Sequence, residues 1–115
     1  MLNRAALICR YKQPFVDWIN AVDPSPTSHM LTLEEVNEEH TVYPIELEDK
    51  AELGRWLSRN HRELFEQELS GWYTDPALWS RDRSLRMLKR WCSFELHTVV
   101  LDTGSSPLAD DELAD

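Results

Sequence analysis

Three groups of side chains in this sequence could do chemistry. His97 sits in an apolar stretch between Leu96 and Val99, where burial is expected. A buried imidazole with a displaced pKa can act as a base or a ligand, although many such groups are only structural. Arg81, Arg83, Arg86, Lys89 and Arg90 are five of the chain's twelve Lys and Arg residues, gathered into one strip. A strip of this kind can hold an anion or a phosphate. It can equally be matched internally by Glu63, Glu66 and Glu68 on a neighbouring helix, through pairs that are each worth little when exposed. Residues 71–79 read GWYTDPALW, in which Trp72, Tyr73 and Trp79 could form an interface hot spot, the wall of a pocket or a cover for the core.

Motifs for known catalytic chemistry are missing. There is no nucleophile elbow, no Walker-type loop and no dinucleotide fingerprint. With three glycines in all (Gly54, Gly71, Gly104), a glycine-rich phosphate cradle is not expected. Neither Cys9 nor Cys92 belongs to a CxxC pair, and no spacing obliges Cys92, His61 and His97 to share a zinc ion. Both thiols are expected to be buried and free, with a single disulfide left open because it depends on geometry. No catalytic residue, metal or cofactor is predicted.

The elements that would position these residues follow from periodicity. Arg4 to Arg10 carries apolar residues at both parities, the pattern of a strand covered on both faces and often parallel. Pro14 opens a helix, along which Phe15, Trp18, Ile19 and Val22 share one face. Residues 23–28 form a loop. Thr32 and Glu35 have the capping-box spacing of a short helix that ends by His40. Thr41 to Leu47 is a second strand, held to an edge or a bulge by Pro44.

Asp49 caps a long helix from Lys50 to about Ser70, with Leu53, Trp56, Leu57, Leu64, Phe65 and Leu69 as its stripe and Gly71 as its stop. Asp75-Pro76 starts a single helical turn, and Asp82 to Trp91 a third main helix. Phe94 to Asp102 is a last strand, again apolar at both parities. The expected fold is therefore α/β: a small three-stranded sheet with three main helices, in the order β-α-(α)-β-α-(α)-α-β. It occupies residues 1–103, followed by an acidic, disordered tail over 104–115.

Five Trp residues in 115 supply the apolar area for one core. A net charge of −9 argues against nucleic acid and anionic membrane, and it permits steered docking of a basic protein. The apolar run Ala5 to Cys9 is too short for a signal core or a membrane span, so a reducing, cytoplasmic location is expected. Aromatics exposed at Trp72, Tyr73 and Trp79 would fit a homodimer.

The stretches NRAALI and KQPF with Asp17-Trp18, then TVY, then ELSGWYTD with Leu78-Trp79, together resemble a family of small, uncharacterised bacterial cytosolic proteins. The resemblance covers the whole domain and excludes the tail. It implies a compact cytosolic domain and assigns no activity, cofactor or site residue. A looser analogy, in size, charge and element order alone, links the chain to barstar-like inhibitors of basic nucleases. The function expected is a non-catalytic binding or regulatory module for a basic partner. The alternative is a small enzyme or ligand-binding protein with a pocket near His97 and the strip Arg81 to Arg90.

Overall fold

The computed structural model describes residues 4–23, 30–47, 49–101 and 103–104. Strand β1 (Ala5–Tyr11) leads into helix α1 (Gln13–Val22), short helix α2 (Leu33–Val36) and strand β2 (Val42–Ile45). A 3-10 turn (Lys50–Glu52) opens α3 (Leu53–Ser70). A second 3-10 turn (Pro76–Leu78) precedes α4 (Leu85–Trp91) and strand β3 (Cys92–His97). This is the expected mixed α/β element order.

The strands pair in the order β2-β1-β3, and both pairings are antiparallel. Here the expectation of a doubly covered, parallel β1 fails. Ala5, Leu7 and Cys9 are buried, but Ala6 and Ile8 are half-buried and Arg10 is exposed. The apolar residues of the second parity lie across from Pro44 and Val42 on one side and from His97 and Glu95 on the other. On a central strand, such cross-strand neighbours supply partial cover without a second layer. The inward parity of all three strands meets Phe15, Val16, Ile19, Leu57, Leu64, Phe65, Leu69 and Leu88 from the helices in one core. Fully burying a side chain of the Leu or Phe kind is worth about 1.5–3 kcal/mol.

Local signals set most boundaries. Thr32 and Glu35 close a complete capping box, with bonds of 3.2 and 2.9 Å. Asp49 and Asp75 each accept an N–H two residues on, starting the two 3-10 turns. Ser84 caps α4 by accepting from Met87, so that helix starts at Leu85 rather than Asp82. Cys92 follows α4 directly in extended backbone, so β3 begins there rather than at Phe94. β3 also ends at His97, whose partner Ala6 is the last paired position of its ladder with β1. Val99 and Leu101, read as strand, are 69% and 67% exposed.

Two asparagine side chains act as pieces of ladder. β2 stops short of Tyr11, and the Asn37 amide takes its place, accepting from Tyr11 N–H at 2.9 Å and donating to its carbonyl at 3.0 Å. Asn20 does the same for both backbone groups of Leu31, each at 2.9 Å. The acidic tail lies almost entirely outside the described residues. Both cysteines are buried and free. Among the described residues, no helix is long and apolar enough to cross a membrane.

Candidate functional site

The central feature is a carboxylate in the core. Glu68 follows Leu64 by four residues and Phe65 by three, so it falls on the buried stripe of α3 and is only 4% exposed. A buried charge of this kind must be paired or hydrogen-bonded. Tyr11, on the inward parity of β1, donates its phenol O–H to Glu68 Oε1 at 2.5 Å. Tyr43, on the inward parity of β2, donates its phenol O–H to Oε2 in a short bond. The Trp72 indole N–H donates to the Tyr11 hydroxyl at 3.1 Å. Burial, and secondly the charge of Glu68, pushes the Tyr11 phenol well above its ordinary range. Burial and the bond to Glu68 do the same to Tyr43. The hydrogen bond to Cys92, then burial, raises the Cys9 thiol beside this group.

Tyr11, Tyr43, Glu68 and Trp72 floor a cleft of about 460 Å³. Its rim carries Glu35, Glu38, Glu39 and His40, and Gln67 lies along its side. Glu38 and Glu39 are exposed in the turn after α2. His40 Nε2 lies 3.1 Å from Arg10 Nη1. Arginine can only donate, so that nitrogen accepts and the ring proton sits on Nδ1. Nδ1 is buried and has no hydrogen-bond partner among the described residues. The cleft therefore combines several carboxylates with three aromatic rings, a composition that suits a cation. Among the described residues, no group of three His, Cys, Asp or Glu is placed to hold a metal ion.

The residues singled out from the sequence do not gather into one site, although Arg83, Trp79 and Tyr73 are neighbours. His97 is on the open face of the sheet with its side chain 53% exposed, its Nε2–H donating to the Glu95 carboxylate at 2.9 Å, and it is not in the core. This bond, followed by those from Arg10, holds the Glu95 carboxyl below its ordinary range. Arg83 is half-buried, paired with Glu66 at 3.0 Å and lying 5.9 Å from the centre of the Trp79 ring. Arg81, Arg86 and Arg90 are exposed. Of the three glutamates expected to match the strip, Glu66 does so, whereas Glu68 turns into the core.

The aromatic loop is a cover whose polar tips are used internally. Tyr73 donates to the Ile19 carbonyl at 2.7 Å, and Trp79 to the Tyr73 carbonyl at 2.7 Å. Trp18 reaches back to the Leu78 carbonyl at 2.9 Å. Trp72 alone of the predicted site residues lines the cleft. Sequence reasoning missed Tyr11, Tyr43, Glu68 and His40. The available signal was Glu68 inside an apolar stripe, which a surface reading of charge overrode.

No family model matches the chain, and no curated protein and no solved structure matches it significantly.

Proposed function

We propose that the protein is a non-catalytic binding module that docks a basic protein partner through the cleft around Glu68. The observation that carries this reading is the cleft's composition: Glu35, Glu38 and Glu39 around a floor of Glu68, Tyr11, Tyr43 and Trp72. Carboxylates attract a guanidinium or ammonium group, and aromatic rings add to the attraction of a cation beside them. The net charge of −9 steers a basic partner toward the molecule. The cleft's ionisable groups are used to hold one another, as in the Tyr11–Glu68–Tyr43 cluster, which favours recognition over catalysis. The residues of the alternative reading, His97 and the strip Arg81 to Arg90, do not line this cleft.

Titration calorimetry with short Arg- and Lys-containing peptides tests the reading. Binding is expected for basic peptides and not for acidic ones of the same length, and it should weaken with salt. The double variant Glu38→Lys/Glu39→Lys changes two exposed side chains and should abolish it. Undiminished binding by that variant would overturn the reading.

A further inference from the structure

The acidic cleft does not end at Gln67. A second cleft of about 320 Å³ lies on the other side of Tyr43 and Gln67, which line both. Its walls are Ile45 and Pro44 from β2 and Trp56, Asn60, Glu63 and Leu64 from α3. Ile45 and Leu64 are core residues and Trp56 packs against the core, so this cleft is the more apolar of the two. The pair forms one trough between α3 and the edge strand. Leaving aside the shared Gln67, α3 lines one half with Trp56, Asn60, Glu63 and Leu64 and the other with Glu68, roughly seven positions from their centre, which is about 11 Å at the helical rise of 1.5 Å.

The trough's outer wall limits how a partner can lie in it. Cys9 N–H donates to the Thr41 carbonyl at 3.4 Å, so Leu7–Tyr43 and Ala5–Ile45 are also hydrogen-bonded pairs. Val42 and Pro44 therefore turn their backbone groups away from β1, toward the free edge. Pro44 has no N–H to offer, so the edge cannot support a full added strand. Recognition must come from side chains, with the exposed Gln67 amide on the divide free to contact a peptide backbone as Asn37 and Asn20 do within the fold.

Building on the basic-partner reading above, we infer that the partner presents an extended segment with a basic residue at one position and a large apolar residue four positions away, the first entering the Glu68 cleft and the second the Trp56 cleft. Four residues of extended chain span about 13 Å and return the side chain to the same face, which fits the spacing of the two clefts.

A peptide series tests this. An Arg is fixed in a Ser-rich segment, with Leu placed two, four or six residues away or omitted. Affinity is read by calorimetry. Leu at four should bind roughly tenfold tighter than the peptide without Leu, the gain of burying one such side chain. Trp56→Ala should erase that gain while leaving the Leu-free peptide unaffected. Asn60→Lys, at the rim, should do the same if Trp56→Ala fails to fold. Equal affinity for all peptides would overturn this inference and leave the basic-partner reading standing. Tighter binding only by a helical peptide with the two residues seven apart would also overturn it. No binding by any peptide would overturn both.

Discussion

Glu68 is the residue on which both the core and the cleft depend. It is 4% exposed and accepts two phenol O–H bonds. Replacing it by Leu leaves those two donors facing a hydrocarbon, at a cost of about 2–4 kcal/mol. Glu68→Gln keeps one acceptor and should cost less, about 1–2 kcal/mol. Urea unfolding of both variants checks this order, and a Leu variant as stable as the wild type would show that the cluster is not structural. Tyr11→Phe and Tyr43→Phe should each destabilise, and the double variant should depart from the sum because both hold one carboxylate.

The raised phenols also set a pH dependence. Both tyrosines ionise from 10.0 in the unfolded chain and only at higher pH in the fold. The unfolded state thus gives up protons first, and the stability they contribute is intact below pH 10 and lost as the pH rises beyond it. Tyrosinate absorbance should lag that of the unfolded chain and then rise together with loss of structure. Ionisation of all three tyrosines in the folded protein near pH 10 would contradict this.

The elements are held by a few side-chain devices that substitute for backbone. Asn37→Ala removes both bonds that complete β1 at Tyr11, and should cost about 1–3 kcal/mol. Hydrogen exchange at the Tyr11 amide should quicken in that variant; unchanged protection would assign the amide's shielding to packing instead. Much at this scale was legible in the sequence. The capping box at Thr32, the Asp75 start and the edge position forced by Pro44 all depend on neighbouring residues, and each took the form expected, whereas Asp49 opens a 3-10 turn over Lys50–Glu52 and the long helix begins only at Leu53. Strand direction did not follow from β1, because Ala6 and Ile8 are apolar on a face covered only by neighbouring strands. The end of β3 at His97 was concealed by the apolar run from Val99 to Leu101, which continues a strand pattern although both apolar residues are exposed. Glu68 was assigned to the surface by charge, and only the meeting of β1, β2 and α3 shows why it lies inside.

At the scale of the whole molecule, the sheet divides the surface. One face is sealed by helices around the core, and the other carries the exposed pairs Arg4–Glu46, Arg10–Glu95 and His97–Glu95. Such pairs are worth little to stability, so the open face should tolerate change. His97→Ala is expected to shift stability by less than about 0.5 kcal/mol and to leave peptide binding intact. The acidic cleft lies at the other side of this division, between α2, β2 and the end of α3. Its location makes the central claim open to one direct measurement: the amide chemical-shift changes of the labelled protein on titration with a short Arg-containing peptide at low salt. The account predicts changes concentrated at residues 35–43 and 67–72, reversed by added salt. Changes centred on residues 81–90 or 93–97, with the cleft amides unmoved, would contradict it.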